Sequence, residues 1–252
     1  MINLPKPVIL CSLIIAFFFP QGVHAQNELS AEEILLESDE VRNPQLDYII
    51  NVKVTDYKPR KQPEESTFQI MRKDKVKAIV KTLSPPIDKG RVFLALDKAV
   101  WLYLPDLSKP LRITLAQRLT GQVANGDLAR ANFSGDYTAE LIRTEQINTK
   151  DCYVLNLTAK TDDITYSRIV LWVEKGTLYP LKGEFYAFSG RLLKTCSYEE
   201  YKEFGGRIRP TRLVMTDFLM KEQYSVLDFD SMNIGLLPEK YFTKDYMKKI
   251  TY

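Results

Sequence analysis

The sequence predicts a mainly β (α+β) protein, an open antiparallel half-barrel of about eleven strands with helices capping its concave face. Three observations predict it. Segment after segment alternates apolar and polar residues with period two, as half-buried strands do. Glycine-bearing turns rather than helices separate these segments, which argues against βαβ units. Several strands are apolar on both sides, as a curled sheet covered by helices requires.

The elements follow in order. Met1 to Lys6 carries one positive charge, Val8 to Phe19 is an apolar run, and Val23-His24-Ala25 supplies small residues for a cleavage site. Residues 1–25 therefore read as a secretory signal peptide. Twelve residues rise about 18 Å as a helix, short of the roughly 30 Å of a hydrocarbon core. A lipoprotein leader is disfavoured because Cys11 sits inside the apolar run. A single domain, 26–252, then follows. Ser30 with Glu33 makes a capping box for a helix that Asn43-Pro44 ends. Strands are expected at 48–54, 67–71, 76–80, 91–96 and 101–104, with a tight hairpin at Asp97-Lys98. A weaker, partly helical stretch at 112–131 contains Gly121 and Gly126. Strands resume at 137–142, 152–159, 166–174, 180–188, 192–201, 207–216 and 224–234. Lys175-Gly176, Ser189-Gly190 and Gly205-Gly206 mark turns between them.

Composition removes several function classes. The chain has 252 residues, 27% of them charged, and a formal charge of +3. That balance is too even for a dedicated nucleic-acid binder. His24 is the only histidine, so cleavage after Ala25 leaves none, and Ser-His-Asp, Cys-His and His-zinc sites go with it. No phosphate-cradling glycine motif is present. Adjacent acids such as Glu199-Glu200 point to opposite faces of a strand, which does not suit paired acid–base work. The chain reads as a non-enzyme with no cofactor and no metal.

Two features leave alternatives open. Arg72, Lys73, Lys75, Lys77, Lys81, Lys89 and Arg91 form a basic run. It reads either as a solvated strand face or as a rim for anionic lipid headgroups or an acidic partner. Cys152 and Cys196, an even pair in an exported chain, suggest a disulfide that would contribute roughly 4 kcal/mol by closing a loop of about 44 residues. Two separate buried thiols are the other reading.

Several segments, in their order, resemble the bacterial outer-membrane lipoprotein-sorting proteins of the LolA-like superfamily. They are Gly90-Arg91-Val92-Phe93-Leu94 with Trp101-Leu102-Tyr103-Leu104-Pro105, Gly126-Asp127-Leu128-Ala129 with Asp136-Tyr137-Thr138, and Cys152-Tyr153-Val154-Leu155. Leu171-Trp172-Val173-Glu174, Tyr179-Pro180-Leu181-Lys182, Gly190-Arg191-Leu192-Leu193-Lys194, Pro210-Thr211 and Tyr241-Phe242-Thr243 complete the series. The resemblance runs from about Glu33 to Thr243. It implies a LolA/LolB-like half-barrel holding the acyl chains of a lipid or lipoprotein in a hydrophobic cavity. It further implies a monomeric periplasmic shuttle that exchanges cargo with an inner-membrane transporter or an outer-membrane acceptor. Two other classes are an accessory subunit of a resistance-nodulation-division exporter and an envelope-stress sensor that binds an anti-sigma factor. Large apolar residues on the matching strands, Phe93, Trp101, Tyr103, Trp172, Phe185 and Met215, are the candidate cavity lining. One departure stands out. Where the family has a stretch like Met-Gly-Ser-Asp-Phe before Asp127, this chain has Leu119-Thr120-Gly121-Gln122-Val123-Ala124, and a loop there at the cavity mouth implies a different cargo.

Overall fold

The computed structural model describes residues 29–130 and 132–250. The expected signal peptide lies outside the described residues. Helix α1 (Ala31–Arg42) opens the fold, with the Ser30–Glu33 capping box formed as expected. Then come β1 (Tyr48–Tyr57), β2 (Glu64–Lys73), β3 (Lys77–Ser84), β4 (Val92–Leu96), β5 (Ala99–Tyr103) and β6 (Leu111–Ile113). A two-stranded hairpin, β7 (Arg118–Thr120) and β8 (Val123–Ala124), leads into the short helices α2 (Asn125–Ala129) and α3 (Phe133–Asp136). The second half is β9 (Tyr137–Ile147), β10 (Lys150–Ala159), β11 (Arg168–Glu174), β12 (Pro180–Tyr186), β13 (Leu192–Glu203), β14 (Ile208–Asp217) and β15 (Tyr224–Ile234). A 3-10 turn (Glu239–Tyr241) and α4 (Lys244–Lys249) follow.

Thirteen strands form one antiparallel sheet in the order β6-β5-β4-β3-β2-β1-β15-β14-β13-β12-β11-β10-β9. The two chain halves thus meet where β1 pairs with β15, and the sheet stays open between its edge strands. Twelve of the thirteen fall on the strand ranges expected; the thirteenth is short β6, whose three residues are too few to alternate visibly. Irregular register in β1, β9, β11, β12 and β2 curls the sheet. The curl can be measured. Strands β4 and β10 stand nine places apart in the order, about 43 Å in a flat sheet. Yet Lys98, in the turn after β4, puts its Nζ 3.0 Å from Oδ1 of Asp163, in the loop after β10.

The inner face carries the main core, with α1, α2 and α3 laid across it. Two smaller cores cover the outer face. Leu237, Phe242 and Met247 of the C-terminal segment pack on Met71, Ile79, Val92, Leu94 and Tyr103. At the far side Cys152, Val154, Val170 and Trp172 pack together. Strands β3 to β5, apolar on both sides, are therefore covered on each side, while the outer residues of β10 and β11 pack against their neighbours in the sheet.

That layering corrects the disulfide expectation. Cys152 belongs to the outer cluster and Cys196 to the inner one, and both are free and buried. They sit on β10 and β13, three places or about 14 Å apart in the sheet. A bridge needs Cα atoms within about 7 Å.

Candidate functional site

The inner face is closed by a strap, residues 118–129, that comprises β7, β8 and α2. Val123, Leu128 and Ala129 anchor it in the main core, and polar side chains add a second set of ties. Asp56 accepts a hydrogen bond from Thr120 Oγ1 at 2.6 Å and one from Ser225 Oγ, whose oxygen accepts from Gln122 N at 2.8 Å. Gly121 fits here because it has φ +45° and because an added Cβ would lie 1.7 Å from Asp56 Oδ1. Gly126 is constrained by space alone, an added Cβ there lying 1.9 Å from Thr165 Oγ1.

Two buried cations complete the latch. Lys194 Nζ donates to Gln122 O at 2.5 Å and to Asp127 Oδ2 at 2.6 Å. Asp127 also accepts from Ala124 N and from Tyr166 OH. Arg72 reaches under α2 and donates to Leu128 O at 2.5 Å and Ala129 O at 3.4 Å. Burial, reinforced by Asp127, pushes the Tyr166 phenol well above its ordinary value, so it stays a donor.

Beneath the strap the hollow is nearly full. One void of about 40 Å³ lies among Arg42, Arg72, Asp127, Arg209, Leu213 and Phe229. Another of about 30 Å³ touches Phe133, Tyr166, Phe185, Tyr198 and Met215. Each has room for about two to four waters at roughly 10–15 Å³ apiece, and neither has room for an alkyl chain in this conformation. Outside the strap a groove of about 430 Å³ opens to solvent, lined by Gln122, Val123, Ala124, Phe188, Leu193 and Met220. Residues 121–124 of the divergent stretch therefore line this groove. Its rim exposes Phe188, Leu219 and Met220, the last two at 70% and 58%.

The structure divides the six candidate lining residues by strand parity. Phe93, Phe185 and Met215 belong to the inner core. Trp101, Tyr103 and Trp172 lie on the outer face, because each neighbours residues in its strand that face inward. Trp101 packs under Lys244, 4.3 Å from its ring, and Trp172 donates its indole N–H to Glu145.

Much of the basic run is engaged in pairs, while Lys89 stays exposed. Arg72 is the latch just described. Lys73 pairs with Asp47 at 3.0 Å, Lys75 with Glu40 at 2.6 Å, Lys77 with Glu239 at 3.0 Å and Arg91 with Asp88 at 2.6 Å. The residues that sequence reasoning missed are Arg42, Asp127 as a charge, Lys194 and Arg209. The signal for Lys194 was its parity with Cys196 and Tyr198, which face inward. Among the described residues no group of side chains suits a metal, and no helix is long and apolar enough to cross a membrane.

Comparison with known proteins fits this geometry. A protein family described as "Uncharacterized protein" matches residues 74–249. Curated proteins gave no match. A crystal structure of a LolA superfamily protein from Nitrosomonas europaea superposes with a TM-score of 0.83 at 43% identity, covering 86% of this chain and 99% of that one. An outer membrane lipoprotein-sorting protein domain from Vibrio parahaemolyticus (TM-score 0.74, 23% identity, 86% and 98% coverage) has the same fold. So does a DUF1329 family protein from Desulfovibrio piger (0.74, 21%, 86% and 97%). With an open strapped sheet in place and 43% identity along almost all of one relative, this chain belongs to the LolA superfamily.

Proposed function

We propose that the protein is a non-catalytic periplasmic carrier, exported by the leader at 1–25. Its single domain takes acyl chains of a lipid or lipoprotein against the inner wall when the strap lifts. The observation that supports this is the contrast between wall and latch. Phe93, Phe185 and Met215 make the wall apolar, whereas seven hydrogen bonds, among them the two from Arg72 and the two from Lys194, hold the strap. Such bonds exchange with water at a net cost of about 0.5–1.5 kcal/mol each, or about 1.5–3 kcal/mol where a charged group takes part, as in six of these, so the seven sum to roughly 10–20 kcal/mol. A sixteen-carbon chain gains about 12 kcal/mol gross on burial. The two are comparable, which is what a carrier needs in order to load and still release. Release would pass cargo between an inner-membrane transporter and an outer-membrane acceptor through the mouth.

Native mass spectrometry of protein purified from the envelope fraction tests this. Acyl-bearing mass should accompany the chain and leave on solvent extraction. Protein that carries none, and that refuses both hexadecanoate and hexadecanol after extraction, would end the carrier reading.

A further inference from the structure

The void of about 40 Å³ beneath the strap is unusual in its charge. Arg42, Arg72 and Arg209 all line it. Arg72 and Arg209 are 3% and 5% exposed, and among the described residues neither has a carboxylate partner. Their hydrogen bonds go instead to helix ends and to sulfur. Arg72 donates to Leu128 O and Ala129 O at the end of α2, and Arg209 to Arg42 O at the end of α1 and to Met232 Sδ. Helix C-termini supply at most about half a negative charge each, and a five-residue helix less. The Nε of Arg72 and the Nε of Arg209 are buried donors with no acceptor. Two acids stand near, and both are engaged: Asp39 with Arg42 at 2.5 Å, and Asp127 with Lys194.

Buried cations without a carboxylate partner are costly, and beside Arg209 stand the rings of Tyr48 and Phe229, 6.0 and 5.7 Å from its guanidinium carbon. Such groups cluster at binding sites. Burial, added to by Arg72 and Arg42, pushes the Arg209 guanidinium below its ordinary value. The void's lining also includes apolar Ile50, Ile70, Leu213 and Phe229 beside polar Asn43, Tyr48 and Asp127. The cavity thus joins unsatisfied cationic donors to the hydrocarbon-like wall already described.

We propose that this void receives the carboxylate or phosphate head of an anionic amphiphile, held by Arg72 and Arg209 with Arg42 beside them, while the chain lies along the inner wall. The chain part rests on the carrier reading, and the head part rests on the arginines alone. It names a cargo class: single-headed acidic lipids rather than the neutral acylated terminus of a lipoprotein.

The test uses the extracted full-length mature protein and three ligands of equal chain length. These are hexadecanoate, hexadecyl phosphate and hexadecanol. Charge-assisted hydrogen bonds predict that at least one acid binds about 10- to 100-fold tighter than the alcohol. The two acids against each other tell carboxylate from phosphate. Arg209→Met should erase that preference while the ligand-free protein melts no lower than the parent, because an unpaired buried charge has been removed. Arg209→Lys should keep most of the preference and shows that any loss follows charge rather than folding. Equal affinity for acid and alcohol, or a preference that survives Arg209→Met, would overturn the head site and leave the carrier standing. Inorganic phosphate that raises the melting temperature of the parent but not of Arg209→Met, in protein that refuses all three chains, would uphold the site and overturn the carrier.

Discussion

Lys194→Met isolates the charge that clamps the strap. Lys194 and Asp127 are 2.6 Å apart with side chains 5% and 6% exposed, so this is a buried pair. Methionine replaces the aliphatic stem and leaves the Asp127 carboxylate buried with only Ala124 N and Tyr166 OH to satisfy it. Breaking a buried pair from one side costs about 3–5 kcal/mol. For a chain of this size that lowers Tm by roughly 6–20 °C. Asp127→Asn alone should cost a similar amount, because it strands the ammonium between Gln122 O and the rings of Tyr166 and Phe185. The double variant Lys194→Met/Asp127→Asn removes both charges, while the amide oxygen still accepts from Ala124 N. It should recover most of the loss, giving a coupling of about 2 kcal/mol or more. Urea unfolding of the four proteins at pH 7 measures this cycle. Additive losses within about 0.5 kcal/mol would refute the view that charge pairing, rather than shape, holds the strap.

Two further outcomes follow from burial. Cys152 and Cys196 should be two free thiols by titration in denaturant without reductant, and in the folded protein Cys196, pushed up to about 12 by burial, should resist alkylation at pH 8. Stability should also fall at alkaline pH. Burial raises the Cys196 thiol and the Tyr137, Tyr166, Tyr198 and Tyr201 phenols, so unfolding at high pH releases protons. Their contribution is whole below the unfolded values, about 9 for the thiol and 10 for the phenols, and is lost as pH rises beyond them at about 1.4 kcal/mol per pH unit per group. A urea midpoint that stays flat from pH 8 to 11 would contradict this, and Tyr198→Phe should make the decline shallower.

Most strands were legible in the sequence because period-two alternation survives wherever one face is more buried than the other. The Asp97-Lys98 hairpin was legible from its turn residues, and Asp97 adopts φ +53° there. The capping box at Ser30 was a local signal and formed as read. What failed was the assignment of faces. Trp172 and Leu171 are both apolar and adjacent, and nothing in a one-dimensional pattern says which side of β11 carries the helices. The C-terminal segment decided the matter for Trp101 and Tyr103 by packing on their side. A disulfide between Cys152 and Cys196 was a reading of compartment, and sequence spacing holds no information about sheet parity. Arg72 and Arg209 were hidden for the opposite reason. A cation in a strand is normally assigned to water, and only the folded curl shows that these two point beneath the strap.

The outer brace formed by Leu237, Phe242 and Met247 has a mechanical consequence. Strands β2 to β5 carry this brace outside, with α2 against β3 and β4 inside, while among the described residues the opposite wing, β9 to β13, has no comparable external girder. A sandwich resists bending far better than a single leaf. Any breathing of the molecule should therefore be lopsided, with the braced wing acting as a fixed jaw and the thinner wing as the moving one.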